Sequence, residues 1–182
     1  MKIACVSARG GVVAVVALMA LMVSAGCKPS APEAPAGTVA SAAQTASMSA
    51  RGTPEAPREI KIEVSDSMKF SVTQLTAAPG ETLRVVLVNS GRAPKEAMGH
   101  NWVLLAAGVD ATAYVNAAVG AKATDYLPAA RAGDVLAHTK LLGGGARDAI
   151  VFTAPSATGD YTYVCTFPAH LQLGMKGVLT VK

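Results

Sequence analysis

The sequence predicts an all-β fold: an eight-stranded, antiparallel Greek-key β-sandwich with one short helical insertion. Three observations predict it. Short apolar segments, several with period-2 alternation, recur from Glu59 to the end of the chain, as expected for strands. Gly, Pro, Asn and Asp occupy most of the gaps between them, as expected for turns. One segment, residues 110–127, is Ala-rich and lacks the alternation. Many short strands with turn residues between them favour a sandwich.

The first strand is the clearest, because Ile60, Ile62 and Val64 alternate with charged residues in EIKIEV. The run LRVVLVN, residues 83–89, suits a strand buried on both faces. The remaining predicted strands are residues 69–75, 101–106, 135–142, 149–154, 161–165 and 177–182.

Two connections carry specific signals. Gly143 to Gly145 predict a hairpin turn between the strands on either side. In the Ala-rich segment, Asp110 stands where it could cap a short helix, and Gly120 would weaken that helix.

Residues 1–26 predict a signal peptide. Lys2 and Arg9 precede an apolar run, residues 11–23, which is shorter than the roughly 20 residues that a membrane span needs. The run ends in SAGC, which resembles the lipobox of bacterial lipoproteins and implies a lipidated Cys27. Ser24 stands where that pattern usually has Leu, so cleavage by an ordinary signal peptidase remains the alternative.

Residues 27–57 predict a flexible tether that follows the lipidated Cys27. They are rich in Ala, Pro, Ser, Thr and Gly, with few charges, and cannot bury enough apolar area to offset the entropy of ordering. Residues 58–182 then form the folded domain.

The charge balance gives no reason to expect nucleic acid as a partner. The net charge of +4 includes Lys2 and Arg9, and no basic cluster is interleaved with aromatic residues. Of the three cysteines, Cys5 lies in the signal peptide and Cys27 is the lipidation site, which leaves Cys165 alone in the domain. A free cysteine is often a small apolar core residue, so only its neighbours can indicate a function.

Those neighbours point to a metal. In CTFPAHLQLGMKG, Cys165 ends one predicted strand, Gly177 begins the next, and His170 and Met175 lie in the loop between them. A thiolate, an imidazole and a thioether suit copper better than zinc, calcium or magnesium. A blue-copper site also needs a second histidine. His100, directly before a strand, is a better candidate than His138, which we expect to be a surface or partly buried strand residue.

The segments MGHNWVL, AHTKLLGGG, CTFPAH and MKGVLTVK resemble azurins, a family of cupredoxins, and the resemblance spans most of residues 59–182. It implies a type 1 copper held by His100, Cys165 and His170, with Met175 as a weak axial ligand. The backbone carbonyl of Gly99 would approach from the opposite side. It also implies that the residue after the first histidine, Asn101, steadies the loops beside the thiolate sulfur.

The resemblance further implies an electron carrier rather than an enzyme. His170 would be the electron port, at the centre of an apolar patch for partners such as c-type cytochromes or copper enzymes. The expected patch residues are Met68, Met98, Phe167, Pro168, Ala169 and Leu173, of which Met68 and Phe167 could equally be core residues. The signal peptide, Cys27 and the tether resemble those of lipid-modified azurins. They imply a lipid anchor in the bacterial cell envelope, with the outer membrane favoured because Lys28 is not the aspartate of inner-membrane retention.

Three departures from the family pattern affect these expectations. Four residues, LQLG, separate His170 from Met175, where azurins have three. Ala169 replaces a usual glycine, which alters the backbone freedom beside His170. The azurin disulfide is absent, so packing or metal must offset a contribution of about 2–4 kcal/mol.

Three other interpretations remain open from the sequence. The protein could bind and deliver copper without carrying electrons, and the longer Met175 arm is the feature that favours this. It could be an enzyme with a Cys165/His170 dyad, although such dyads usually need a third, orienting group. It could also be a structural lipoprotein in which the metal loop has no role.

Overall fold

Two β-sheets form the fold in a computed structural model that describes residues 51–182. The signal peptide, Cys27 and most of the predicted tether lie outside the described residues. The strands are β1 Arg58–Val64, β2 Gln74–Ala77, β3 Thr82–Asn89, β4 Val103–Leu105, β5 Val135–His138, β6 Arg147–Thr153, β7 Gly159–Val164 and β8 Lys176–Val181. The prediction of an all-β sandwich is confirmed.

The helices are short. They are α1 Lys95–Met98, α2 Ala111–Ala118 and the 3₁₀ helices Lys122–Thr124 and Ala129–Asp134. Asp110 caps α2, since its carboxylate accepts a hydrogen bond from the N–H of Ala113 at 2.9 Å. The expected helix therefore forms, and it ends before Gly120.

The sheets have the strand orders β1-β3-β6 and β2-β8-β7-β4-β5. Most neighbours are antiparallel, but β1 with β3 and β2 with β8 are parallel. The expectation of a wholly antiparallel sandwich is wrong at these two pairs. The reason is that β2 lies in the other sheet from β1 and β3, so the chain crosses over and returns to run beside β1 in the same direction.

The core lies between the two sheets. The alternation in β1 is confirmed, because Ile60, Ile62 and Val64 are buried while Glu59 and Lys61 are exposed. Near the centre, the fully buried ring of Trp102 packs between Phe152 and Tyr163, with ring centroids at 5.7 and 5.4 Å.

The second predicted strand, residues 69–75, is wrong over most of its length. Met68 has a positive φ of 55°, and the chain bends until β2 begins at Gln74. Phe70 is nevertheless buried, edge-on to Tyr163 at 5.5 Å. The segment therefore fills the core without joining a sheet.

The triple glycine does not form a hairpin, so that prediction is also wrong. It joins β5 to β6, which belong to different sheets. A Cβ on Gly143 would lie 2.9 Å from the backbone nitrogen of Lys95, and one on Gly144 would lie 2.7 Å from the Cα of Arg92. Glycine is needed here because the connection passes against the backbone that leads into α1.

The last residues of the predicted tether, 51–57, are packed against the domain. Gly52 is buried, its N–H donates to Glu81 Oε1 at 3.2 Å, and its carbonyl accepts from the N–H of Thr82 at 3.1 Å. Glu81 in turn accepts from Arg58 Nε at 2.6 Å. Residue 52 is therefore joined to the domain beside the Arg58 end of β1, ahead of the predicted domain boundary at residue 58.

Within residues 51–182, no helix has both the length and the apolar character that crossing a bilayer would require.

Candidate metal centre

Two neighbouring strands bring the predicted metal-binding residues together. Cys165 directly follows β7, and His100 lies three residues before β4. These strands pair antiparallel, with Val103 opposite Val164, so both residues fall at the same end of the sandwich. His100 is also fixed by a backbone bridge to Leu142, with N···O distances of 3.0 and 2.8 Å.

The candidate ligand atoms of His100, Cys165 and His170 all lie within 4.8 Å of one another. Cys165 Sγ is 3.4 Å from His170 Nδ1, and the two imidazole centroids are 4.8 Å apart. His100 and Cys165 are fully buried and His170 is only 2% exposed. Three donors thus converge in a space closed to bulk water.

His100 has no hydrogen-bond partner at either ring nitrogen, although both nitrogens are buried. Leaving buried polar atoms unpaired is unfavourable by about 1–3 kcal/mol each. Burial also lowers the pKa of His100 from its usual 6.5. For His170, burial and the neighbouring His100 lower the pKa to about 4. Both rings are therefore neutral near pH 7, the form that binds metals.

Burial raises the pKa of the Cys165 thiol to about 12, despite the opposing effect of hydrogen bonds from the backbone N–H groups of Asn101 and Phe167. The metal-free thiol is therefore protonated near neutral pH, and metal binding must release its proton. The two N–H groups would stabilise the charge of a thiolate at this position.

The side chain of Asn101 links the two strands beside the sulfur. Its Nδ2 donates to Thr166 Oγ1 at 2.8 Å, and its Oδ1 accepts from the N–H of Thr166 at 2.9 Å. Both residues are fully buried. Asn101 thus holds the residue after His100 against the residue after Cys165. Sequence reasoning missed Thr166, although a hydroxyl directly after the cysteine was an available signal.

Met175 is fully buried and fixed at the far end of the loop. Its N–H donates to the carbonyl of His170 at 2.9 Å, and its carbonyl accepts from the N–H of Cys165 at 3.2 Å. The carbonyl oxygen of Gly99 lies 3.9 Å from Cys165 Sγ. The structure therefore brings Met175 and Gly99 close to the other predicted site residues.

The departures in the loop have visible backbone consequences. Ala169 has a φ of 68°, a left-handed conformation in which the usual glycine would carry no strain. Gly174, in the longer arm before Met175, has a φ of 89°. Lys69 Nζ donates to the carbonyl of Leu173. The extra residue is thus accommodated by a left-handed turn at Gly174 that Lys69 contacts.

These residues fit copper. The converging donors are one thiol and two imidazoles, and the buried Met175 lies in the same loop; soft sulfur and imidazole donors together suit copper. Within residues 51–182, Cys165 is the one free cysteine, whereas structural zinc sites usually take several. A metal would also supply a partner for one of the two buried nitrogens of His100.

The expected patch residues differ in exposure. Leu173 is 49% exposed and Ala169 is exposed, whereas Met68, Met98 and Pro168 are half-buried. Phe167 is 8% exposed and belongs to the core. His138 lies exposed on β5, outside the cluster.

The family of the chain follows from comparison with known proteins. Residues 57–182 match the family of copper binding proteins described as plastocyanin/azurin. The azurin of Pseudomonas fluorescens biotype A is 37% identical over 130 residues, a match covering 68% of this chain and 98% of that protein. The azurin of Bordetella pertussis is 39% identical over 142 residues, covering 74% and 91%.

Solved structures agree. Auracyanin from Roseiflexus castenholzii has a TM-score of 0.61 at 37% identity, covering 68% of this chain and 96% of that one. Auracyanin A from Chloroflexus aurantiacus, a "blue" copper protein, has a TM-score of 0.61 at 35% identity, covering 69% and 99%. The chain therefore belongs to the plastocyanin/azurin family of copper binding proteins, as a blue-copper electron-transfer protein whose cofactor is copper.

Proposed function

We propose that the protein is a membrane-tethered carrier that passes single electrons between redox proteins of the bacterial cell envelope. The observation that carries this proposal is the buried cluster of His100, Cys165 and His170, assembled from two distant segments of the chain. When bound, copper supplies a one-electron couple between Cu(I) and Cu(II). The chain's part is to keep the donors in one arrangement for both states.

Met175 is proposed as the axial ligand and the carbonyl of Gly99 as the opposite contact. Backbone hydrogen bonds at both the N–H and the carbonyl of Met175 fix its position relative to Cys165 and His170. A weak axial thioether and the hydrogen bonds at the sulfur are the features by which a protein tunes such a site. Met98 is the natural control, because it precedes Gly99 and is half-buried.

The buried donors favour an electron carrier over a copper-delivery protein. Delivery requires that a partner reach the ligands and replace them, yet His100 and Cys165 are fully buried and His170 is 2% exposed. Rigid packing around the donors also limits reorganisation when the charge changes. The longer arm before Met175 remains the feature on which the delivery alternative depends.

Electron exchange is proposed to occur at the His170 end of the molecule. Leu173 and Ala169 are exposed beside His170, with Pro168 and Met98 half-exposed. A small apolar contact of this kind suits brief encounters, which bury little area. A c-type cytochrome or a copper enzyme would fit, and both are proposed here by family analogy.

The tether is proposed to attach at the opposite end. The described chain begins near Glu81, at the Arg58 end of β1. The other end of β1, Val64, lies opposite Asn89. The side chain of Asn89 donates to the carbonyl of Leu142, which pairs with His100, so this end of β1 is the one near the metal-binding residues. Seven residues of β1 separate the two ends, which is about 20 Å. A lipid on Cys27 would therefore leave the His170 end free to meet partners.

Visible absorption and EPR spectra of the purified, copper-loaded protein test the carrier function. An intense thiolate-to-copper band with narrow copper hyperfine splitting is expected, and Cys165→Ser should abolish it. Met175→Leu should change the band intensities and the reduction potential, whereas Met98→Leu should not. Ordinary type 2 copper spectra would refute the carrier. Fast copper loss to a chelator, together with slow electron self-exchange, would favour delivery.

Cell fractionation tests the anchor. The protein is expected with the outer-membrane fraction, Cys27→Ser should move it to the soluble fraction, and Lys28→Asp should shift it towards the inner membrane. Recovery of the unchanged protein in the soluble fraction would refute lipidation.

Reduction by a c-type cytochrome, compared between wild type and Leu173→Glu, tests the patch. A rate unaffected by Leu173→Glu would exclude the patch as the contact.

A further inference from the structure

Two consecutive residues in the connection between α2 and β5 adopt a left-handed backbone. Asp125 has a φ of 54° and Tyr126 a φ of 61°, and neither is glycine. Such a conformation costs on the order of 1–2 kcal/mol per residue, and it persists only where the surroundings impose it. The contacts of these two side chains show what imposes it.

Tyr126 lies behind a copper-binding histidine. Its ring is 7% exposed and meets Phe167 edge-to-face, with centroids 5.1 Å apart and an interplanar angle of 67°. Phe167 packs against the imidazole of His170 with centroids 4.8 Å apart. The three rings form a continuous row, so Tyr126 limits how far Phe167, and with it His170, can move.

Asp125 holds the other histidine segment. Its Oδ1 accepts from Lys95 Nζ at 3.0 Å. Lys95 begins α1, the short helix that ends directly before Gly99 and His100. The end of that helix is closely packed, since a Cβ on Gly99 would lie 2.7 Å from the carbonyl oxygen of Lys95 and 2.8 Å from Cγ of Leu141. Asp125 therefore fixes the start of the segment that carries His100.

The left-handed pair is itself anchored to the helical insertion. The N–H of Tyr126 donates to the carbonyl of Ala121 at 2.9 Å, and the N–H of Asp125 donates to the carbonyl of Lys122 at 3.2 Å. Adjacent residues on one anchored turn thus reach two segments that lie far apart in the sequence. A left-handed backbone directs the two side chains to these two targets.

We propose that Asp125 and Tyr126 are positioning residues for the copper site: together they hold the segments that carry His100 and His170 at their binding distance before metal arrives. The proposal rests on the copper-carrier function, because positioning the histidines matters only if they bind copper; the contacts themselves do not depend on that function. The exposed Asp125–Lys95 pair, with side chains 41% and 43% exposed, contributes little to global stability. Its role is orientation.

Hydrogen–deuterium exchange on the metal-free, full-length protein in detergent tests the positioning directly. Tyr126→Leu is expected to speed exchange about tenfold in residues 165–170, because an aromatic pair contributes about 0.5–1.5 kcal/mol beyond its buried area. Tyr126→Phe keeps the ring and should behave as wild type. Tyr114→Leu is the matched control, since Tyr114 is also buried but belongs to the other apolar cluster, which reaches the loop only at Leu171, beyond the residues compared.

The charge is tested in the same way. Asp125→Asn removes the ion pair, while Asn tolerates the left-handed backbone, and exchange should rise in residues 95–100. Asp134→Asn is the control, because it breaks the comparable pair with Arg131 at 2.6 Å. In the copper-loaded protein, Tyr126→Leu should change the relative intensities of the two thiolate bands and speed copper release, whereas Tyr114→Leu should not.

The outcomes separate the two proposals. If Tyr126→Leu and Tyr114→Leu give the same exchange pattern, the positioning role is overturned. If the exchange differs as expected but no blue-copper spectrum forms in any protein, the positioning geometry stands and the carrier function fails. If the spectrum forms and is unchanged by Tyr126→Leu and Asp125→Asn, Asp125 and Tyr126 have no role at the metal, and the proposal is overturned.

Discussion

Replacing Asn101 by Ala tests how the two ligand-bearing strands are joined. The change removes two hydrogen bonds at once, Asn101 Nδ2 to Thr166 Oγ1 at 2.8 Å and the Thr166 N–H to Asn101 Oδ1 at 2.9 Å. Both residues are fully buried, so water does not readily replace the lost partner. The N–H of Thr166 is left unpaired, at a cost of about 1–3 kcal/mol.

The second bond and the small cavity raise the expected loss to about 3 kcal/mol. That is a large part of the 5–15 kcal/mol that stabilises a typical domain. The loss should appear in urea unfolding of the metal-free protein, followed by the fluorescence of Trp102, the single tryptophan of the chain. Copper release should also be faster, because Asn101 no longer holds Thr166 beside Cys165.

A matched variant and a double-mutant cycle make this test specific. Thr139→Val removes one buried hydrogen bond, from the backbone N–H of Trp102 to Thr139 Oγ1 at 3.0 Å, and should cost about half as much without changing copper release. Asn101→Ala combined with Thr166→Ala should reveal a coupling of about 1 kcal/mol. A coupling near zero, or a loss below that of Thr139→Val, would refute the reasoning.

Three further variants test other features. Burial raises the pKa of Glu81, but hydrogen bonds from Arg58 and two backbone N–H groups outweigh it and lower the pKa below 4.5. The stability that Glu81 provides is therefore present above about pH 4.5 and lost as the pH falls through its folded pKa. Glu81→Gln should cost about 2 kcal/mol near neutral pH and less at about pH 3, and equal losses in urea unfolding would contradict this. Gly177→Ala drives a methyl group into the ring of Tyr163 and should cost about 3 kcal/mol, measured by thermal unfolding; an unchanged Tm would count against the packing. Ala169→Gly should relieve the left-handed backbone and raise stability by about 1 kcal/mol, and a lower free energy of unfolding would be the contrary result.

Much of the fold was predictable because local pattern carries it. The alternation in EIKIEV places Ile60, Ile62 and Val64 in the core, and Asp110 caps its helix as a side-chain acceptor should. The triple glycine misled because a turn signal does not say which sheet the next strand joins. Residues 143–145 pass against the backbone of Lys95 and Arg92, a long-range contact that no local pattern reveals.

The site likewise contains residues that local sequence predicts and residues whose roles depend on distant contacts. Cys165, His170 and Met175 share one loop, so residue chemistry and spacing suffice to predict them together. The roles of Asp125 and Tyr126 depend on contacts with Lys95 and Phe167, residues about 30 and 40 positions away in the sequence. The sequence alone identifies residues 110–127 only as an Ala-rich insertion without strand alternation.

The parallel pairing of β2 with β8 also has a consequence for the order in which the protein folds. Gln74 aligns with Val178 and Ala77 with Val181, so the edge of the five-stranded sheet cannot close until β8 has been synthesised, about 100 residues after β2. Pairing over such a sequence separation is entropically slow. β7 ends at Val164, directly before Cys165, and β8 begins at Lys176, directly after Met175. The loop that carries His170 is therefore closed at both ends only when β8 has paired with β7.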